Sequence, residues 1–257
     1  MKKYFFATIL SLLVLDLYAQ DIPEHISYTQ IYDFLDELAN DGVIELNTTV
    51  KPYSRMLIAE KLQDASSKKT QLNSRQRADL VFFTQSYMLE TNKLPETLFE
   101  LYQNDKFELS LVQPALYYRD TLFRAKISPI LGMNIVNNSE QTITKRWVGA
   151  ELHTMIGKHI SVWGSLRDIS FGGGTEQSAS LLARPQYLNN QPGAEYKESS
   201  AGNGDFSDSR GGVMYSAKWG SVGFVKDNFM WGDNYHGSNI LSGRAPSFPM
   251  VTLKIKP

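Results

Sequence analysis

The chain has 257 residues, enough for one large domain or two of ordinary size. Its 26 basic and 27 acidic side chains leave a formal net charge of −1, so net charge does not identify a partner. The lack of cysteine excludes disulfides, thiol nucleophiles and thiolate metal sites.

The N-terminus has the composition of a secretory signal peptide. Two lysines precede an apolar run over residues 4–15, and the small residue Ala19 follows shortly afterwards. A single membrane anchor is the alternative, but the run is too short to span a bilayer and Asp16 ends it. A lipoprotein anchor would need a cysteine. The sequence therefore predicts export, with residues 1–20 as the signal peptide.

Residues 21–105 predict a small helical bundle. Apolar residues recur at helical spacing over residues 28–39, and Gly42 is placed to end this first helix. Ser54 and Asn73 are placed to cap a second and a third helix. The predicted packing residues include Ile31, Tyr32, Leu35, Leu38, Leu57, Ile58, Leu62, Leu80, Phe83, Tyr87 and Met88. Polar residues cover the other faces, so we expect the bundle to be soluble and separately folded.

Residues 106–257 predict long β-strands, because the hydrophobic period changes from 3.6 to 2. Apolar and polar residues alternate over residues 123–135, 147–157, 160–167, 210–218 and 250–256. Strands of about 9 to 14 residues exceed the usual globular length of about five or six and match a tilted membrane-spanning strand. Pro129 cannot donate a ladder hydrogen bond, which predicts a bulge there.

The connections alternate in length along the chain. Long connections at 137–146, 169–209 and 231–249 alternate with tight ones at 157–158 and 219–220. Outer-membrane barrels have short periplasmic turns and long extracellular loops, so this parity places the helical bundle in the periplasm. Residues 107–118 do not fit this alternation of long and tight connections, and we interpret them as a periplasmic strand near the bundle.

A soluble β-sandwich is the alternative, but it would usually have shorter strands and loops of similar length at both ends. The export signal also favours the membrane barrel. About six spanning strands are visible, whereas a membrane barrel needs at least eight. The predicted fold is therefore mainly β: the first part of an outer-membrane antiparallel β-barrel, preceded by a small periplasmic α-helical bundle.

Several segments also carry a resemblance to a known family. They are IYDFLDELANDGVI at 31–44, KPYSR at 51–55, IAEKL at 58–62, VKDNFMWG at 225–232 and LSGRAPSF at 241–248. Together they resemble the Wzi-type capsule assembly family, whose Bacteroidota outer-membrane members include a gliding-motility protein. The resemblance implies an outer-membrane lectin that holds surface polysaccharide, in capsule or exopolysaccharide assembly or attachment, adhesion or gliding.

The polar strand faces and one connection predict where a polymer would bind. The polar faces are rich in cations, which suits an anionic polysaccharide unless these charges pair with acids elsewhere in the barrel. The 231–249 connection mixes aromatic, amide, carboxylate and guanidinium groups, as sugar sites do; the alternative is an Asx- and Gly-rich loop whose aromatics pack inside the barrel as a plug. The cations are Arg124, Lys126, Arg167, Lys218, Lys254 and Lys256. The predicted binding residues are Trp231, Asp233, Asn234, Tyr235, Arg244, Arg167 and Lys254.

Catalytic signals are sparse. Glu151 and His153 share a strand face, and His159 follows a tight turn, but no third metal ligand or nucleophile accompanies them. The sequence therefore predicts a binding protein and not an enzyme, with no cofactor, no metal and no nucleic-acid partner. Its predicted partners are an anionic surface polysaccharide and outer-membrane lipid, with periplasmic or motility partners left open. An outer-membrane channel for anionic solutes is the alternative function, and an outer-membrane hydrolase is a third.

Overall fold

A computed structural model gives the fold of the chain. It describes residues 20–47, 50–91, 100–103, 107–110, 115–137, 142–173, 194–197, 204–232, 240–243 and 247–255. All of the predicted signal peptide except Gln20 lies outside the described residues.

The N-terminal part is helical, as predicted. Its helices are α1 (Thr29–Asn40), α2 (Arg55–Ser67), α3 (Ser74–Ser86) and α4 (Met88–Thr91), with a 3-10 turn at Lys69–Gln71. Gly42 has φ of 71° just after α1, a conformation that glycine adopts without strain. The Ser54 side chain accepts from the Leu57 N–H at the start of α2, and Asn73 forms a capping box with Gln76 at the start of α3.

The helices share one hydrophobic core. Its fully buried members include Leu35 and Leu38 from α1, Ile58 and Leu62 from α2, and Leu80 from α3. Every face predicted from helical spacing therefore contributes to this core, which holds the three helices together.

The rest of the described chain is dominated by one antiparallel sheet. The strands are β1 (Val50–Lys51), β2 (Glu100–Gln103), β3 (Phe107–Ser110), β4 (Ala115–Arg119), β5 (Phe123–Asn137), β6 (Thr142–Ile156), β7 (Ile160–Gly173), β8 (Ala194–Lys197), β9 (Gly204–Ala217), β10 (Gly220–Asp227), β11 (Met230–Trp231) and β12 (Phe248–Ile255). The order in the large sheet is β12-β10-β9-β7-β6-β5-β4-β3-β2, with β8 also pairing with β9, and β1 pairs with β11 separately. The fold is thus mainly β, as the alternation predicts.

The two faces of the large sheet differ in environment. Ile127 pairs with Leu152, and Leu131 with Val148; all four side chains are exposed. On the opposite face Lys126 pairs with His153, and both are buried. The predicted alternation is therefore present, and the apolar face is the exposed one. Its exposed members include Ile127, Leu131, Met133, Ile135, Val148, Leu152, Leu166, Val213, Phe224, Val251, Leu253 and Ile255.

Three local predictions are wrong. Glu100–Gln103 is a strand of the sheet and not part of the helical segment. The predicted long connection over 137–146 is short, because β5 and β6 remain paired as far as Asn137 and Thr142. No bulge occurs at Pro129, which keeps register with Ala150. β4 pairs with β5 only as far as Ile127, so Pro129 has a paired strand on one side, where proline is tolerated.

Residues 107–118 form a hairpin and not a single strand. Phe107–Ser110 pairs with Ala115–Tyr118, and the Ala115 and Tyr117 side chains pack with Met88 of α4. The expected position near the helical segment is therefore correct for the described part of this region.

Within the described residues the sheet has two ends, β2 and β12, and no pairing joins them. No second sheet covers the apolar face in this part of the chain, unlike in a β-sandwich, since its side chains are exposed. Among the same residues, no helix is long and apolar enough to cross a membrane.

The helical segment packs on the polar face of the large sheet. A second buried cluster joins Ile22 and Leu89 to Met155, Trp163 and Met214 of the sheet. Although the helices have their own core, they are therefore docked onto the strands.

The chain between β10 and β12 also contacts the helical segment. Strand β11 pairs with β1, which places Trp231 opposite Val50. Gly243 has φ of 74°, and Ile26 Cδ1 lies 2.8 Å from where a Cβ would stand. The described part of this connection therefore folds back over the polar face and does not form a loop projecting away from the sheet.

Candidate functional site

Two clefts lie between the helical segment and the polar face of the large sheet. One, of about 480 Å³, is lined by Tyr28 and Phe82 from the helical side and by Lys126, Ser128 and Glu151 from β5 and β6. We call it the Tyr28 cleft. The other, of about 520 Å³, includes Asp21, Phe229 and Lys254, and we call it the Asp21 cleft. Both volumes are in the range of small-molecule sites.

Tyr28, just before α1, joins the helical segment to the sheet in the first cleft. Its hydroxyl donates to Glu151 Oε2 at 2.9 Å. The Arg167 guanidinium lies 4.9 Å from the centre of the Tyr28 ring and donates to Ser27 Oγ at 3.1 Å. These contacts fix the Tyr28 side chain between an acidic and a basic strand residue.

A buried ion triad lies at the back of this cleft. Arg55 donates to Glu24 at 2.6 Å and to Glu90 at 2.5 Å, and all three side chains are almost fully buried. Arg55 also donates to the Ser86 carbonyl oxygen at 2.8 Å. Burial raises the pKa of the Glu24 carboxyl, although the Arg55 charge opposes that rise. The triad joins the start of the helical segment to α2 and α4.

A second buried charged cluster surrounds His25. Arg210 donates to Asp227 at 3.3 Å and lies 3.8 Å from Asp208. Burial lowers the pKa of His25 well below its usual value, and the charges of Arg210 and Arg167 lower it further. Burial and these charges therefore favour the neutral form of the His25 imidazole.

The Asp21 cleft is built around one ion pair. Lys254 donates to the Asp21 carboxylate at 3.0 Å, and Ser221 donates to the same oxygen at 2.9 Å. Burial raises the pKa of Asp21, but the Lys254 charge and the hydrogen bonds outweigh it, so the pKa lies below its usual value. Next to it, the Gln20 amide donates to the carbonyl oxygens of Gly157 and Ile160, each at 3.1 Å.

The predicted binding residues do not form one site in the described structure. Arg167 lies beside the Tyr28 cleft, Lys254 lies in the Asp21 cleft, and Trp231 is a half-exposed residue paired with Val50. The others, Asp233, Asn234, Tyr235 and Arg244, lie outside the described residues.

The predicted cations on the polar face contact the helical segment. Arg124 donates to the Leu89 carbonyl oxygen at 2.9 Å and to Gln20 at 3.0 Å, and Lys126 donates to the Ser86 carbonyl oxygen at 3.4 Å. Arg167 and Lys254 bind Ser27 and Asp21 in the same way. These four cations therefore have partners in the N-terminal part of the chain, between Gln20 and Leu89.

Sequence reasoning missed Tyr28 and Phe82 as cleft residues. Tyr28 was assigned to the hydrophobic face of α1, and the exposure of Phe82 depends on how α3 lies over the sheet. Lys126 and Glu151 are identifiable from the sequence, because they are charged residues on the polar faces of alternating strands. Their pairing with helical residues needed the tertiary structure.

The residues considered for catalysis have different partners. Glu151 binds Tyr28, His153 is buried opposite Trp163, and the His159 Nδ1 lies 2.8 Å from the Ser216 carbonyl oxygen. No group of three His, Asp or Glu side chains in the described ranges is arranged to hold a metal ion.

Comparison with known proteins identifies no relative: no family model, no curated protein and no solved structure matches the chain.

Proposed function

We propose that the chain forms part of an outer-membrane β-barrel that binds and retains surface polysaccharide. The observation that carries the proposal is the exposed apolar face of the long strands. Leu131, Val148 and Phe224 are each more than half exposed on this face. Soluble monomers rarely expose a contiguous apolar surface of more than a few hundred Å².

Lipid is the occupant that best fits this face. Strands β5, β6, β7 and β9 have 14 or 15 residues, more than the roughly 9 to 11 that a tilted strand needs to span a bilayer. The opposite face carries buried ion pairs and docked helices, and this difference between the two faces supports a nonpolar solvent on the exposed side.

The position of the helical segment supports a periplasmic location. Asp21 accepts hydrogen bonds from Ser161, beside the tight β6–β7 turn, and from Ser221, beside the tight β9–β10 turn. Short turns of bacterial outer-membrane barrels lie on the periplasmic rim. The N-terminal segment would therefore enter the polar face from the periplasm.

Polysaccharide as the ligand follows from the Wzi-type resemblance. The Tyr28 cleft supports it with aromatic, carboxylate, hydroxyl and ammonium groups around one space. Retention of surface polymer, in capsule attachment, adhesion or gliding, is the function that combines this cleft with a membrane-facing sheet.

An outer-membrane channel for anionic solutes remains the second candidate, because Arg124, Lys126 and Arg167 lie on the polar face. Their contacts with the helical segment favour the binding protein instead. Conductance in planar bilayers separates the two: anion-selective current through the full chain would favour the channel.

Leu131→Arg tests the membrane assignment. If this face contacts lipid near the bilayer centre, the substitution costs about 2–4 kcal/mol and reduces insertion into lipid vesicles. Val81→Arg is the matched control, since Val81 is also an exposed apolar residue but lies on α3. Equal insertion of both variants, measured by flotation on a density gradient, would disprove the assignment.

Trp231→Ala and Arg244→Ala test the predicted binding residues. We expect the inserted variants to retain less surface polysaccharide than the unmodified chain in a pull-down from the native envelope. Normal retention by both would show that these residues do not bind the polymer, even if the chain is an outer-membrane protein.

A further inference from the structure

We propose that the Tyr28 cleft binds a neutral sugar unit through Ser128, Lys126 and Glu151 on the sheet and the Phe82 ring on α3. This inference rests on the proposed function for the source of the sugar. The chemistry of the proposed ligand is inferred from the groups that line the cleft.

Ser128 is the first of these groups. Its side chain is buried, and among the described residues nothing forms a hydrogen bond with its Oγ. A buried hydroxyl without a partner is costly. Because Ser128 lines the cleft and stands opposite Glu151 across the β5–β6 pair, a ligand hydroxyl can supply the partner.

Lys126 and Glu151 provide complementary hydrogen-bonding capacity beside it. The buried Lys126 ammonium has three donors, and its one hydrogen bond to the described protein is a long contact of 3.4 Å with the Ser86 carbonyl oxygen. The Glu151 carboxylate accepts from Tyr28 at 2.9 Å and has further acceptor positions. A donor-rich and an acceptor-rich group around a serine hydroxyl match the adjacent hydroxyls of a sugar, each of which both donates and accepts.

The charge around the cleft selects a neutral ligand. Arg55 is already bound to both Glu24 and Glu90. The Lys126 charge is offset by Glu151, so both cations among the described lining residues are already matched by acids and a ligand carboxylate or phosphate would meet no unopposed positive charge. This differs from the anionic polymer predicted from the cations of the polar strand faces, because those cations are engaged by the helical segment.

Phe82 supplies an aromatic surface at the cleft. It is about half exposed, and its ring packs edge-on against Phe83, which is stacked on Phe34 of α1. The ring is therefore held in place while part of its surface stays open. Such a surface suits the nonpolar C–H groups of a sugar, and the cleft volume suits a small ligand.

Saturation-transfer NMR and calorimetry on the full chain test this inference. The chain is held in lauryldimethylamine oxide, a detergent without a sugar headgroup. The probes are glucose, galactose, mannose and N-acetylglucosamine, with glucuronate as the charged counterpart of glucose. We expect at least one neutral sugar to bind, and glucuronate to bind at least threefold more weakly than glucose or not at all.

Substitutions locate the binding. Ser128→Ala and Phe82→Ala should each weaken it about three- to tenfold, the effect of losing one hydrogen bond or one ring contact. Ser221→Ala, a polar-face serine in the other cleft, and Val81→Ala, the exposed neighbour of Phe82, are the controls and should leave binding unchanged.

The inference is overturned if no neutral sugar binds, if glucuronate binds as tightly as glucose, or if Ser128→Ala and Phe82→Ala bind like the controls. Its failure is distinguishable from failure of the proposed function. Retention of native polysaccharide without sugar binding in the cleft would remove only this inference. Sugar binding in the cleft by a chain that does not insert into membranes would remove only the proposed function.

Discussion

The Lys254 ammonium group lies 3.0 Å from the Asp21 carboxylate, although 233 positions separate the two residues in the chain. Ser221 of β10 donates to the same carboxylate, and Ser161 of β7 donates to the Asp21 carbonyl oxygen at 2.8 Å. One aspartate therefore ties the start of the helical segment to three strands of the sheet.

The two partners of this ion pair should differ in their contribution to stability. The Asp21 side chain is 12% exposed and that of Lys254 is 35% exposed. Lys254→Met leaves a buried carboxylate without its cation, and we expect a loss of about 2–3 kcal/mol. Asp21→Asn leaves an ammonium that water can reach and should cost about 1 kcal/mol. Urea unfolding followed by circular dichroism measures both; an equal or reversed order would show that the pair is not asymmetrically buried.

Arg55→Met should be among the most destabilising substitutions in the helical segment. It leaves Glu24 and Glu90 buried without their common cation, which costs about 3–5 kcal/mol. Arg55→Lys should recover only part of the loss, because lysine cannot donate to both carboxylates in the same fork geometry.

Arg75→Met is the matched control for Arg55. Arg75 also contacts two acids, Glu37 and Asp79, but on the solvent side of α3. Its removal should change the unfolding midpoint little, since exposed ion pairs add little to stability. A similar loss in both variants would show that burial does not determine the strength of these contacts.

The elements of the fold were predictable where local chemistry determines them. Ser54 and Asn73 cap helices as expected, because a cap depends on residues within one turn. The strict alternation around Leu131 and His153 correctly assigned each side chain to its face, because successive side chains of a strand point to opposite faces of the sheet.

Long-range partners were not predictable in the same way. The cations Arg124, Lys126 and Arg167 were correctly placed on one sheet face, but the identity of their partners depends on how the helices dock. The path of the connection after β10 depends on docking in the same way. Its return to Val50 depends on pairing with a two-residue strand between α1 and α2 that has almost no sequence signal.

Gly220 in the β9–β10 turn should tolerate no side chain. Its φ is 144°, and a Cβ there would stand 1.9 Å from the Lys254 carbonyl oxygen. Gly220→Ala should therefore separate β10 from β12 and cost more than about 2 kcal/mol. Gly157→Ala is the control: φ is 59°, but no described atom lies within 4 Å of the added Cβ, so only about 1 kcal/mol of backbone strain is expected. The unfolding midpoints of the two variants measure their losses of stability. An equal loss in both would show that the added Cβ at position 220 does not clash with the Lys254 carbonyl oxygen.

His25 should make the folded state less stable in mild acid. Burial, and then the Arg210 and Arg167 charges, keep its pKa well below the usual 6.5 when folded. In the unfolded chain the imidazole takes up a proton near pH 6.5, so the unfolded state binds more protons below that pH and stability falls. The expected loss between pH 7.5 and 5.5 is about 1.4 kcal/mol, with little contribution from His25 above pH 7.5.

His25→Gln should lack this part of the pH dependence. Glu24, whose raised pKa acts in the opposite direction just above its usual 4.5, is present in both chains and cancels in the comparison. Unfolding free energies at pH 7.5, 6.5 and 5.5 provide the measurement, and identical slopes for His25→Gln and the unmodified chain would show that His25 takes up its proton without undocking from the sheet.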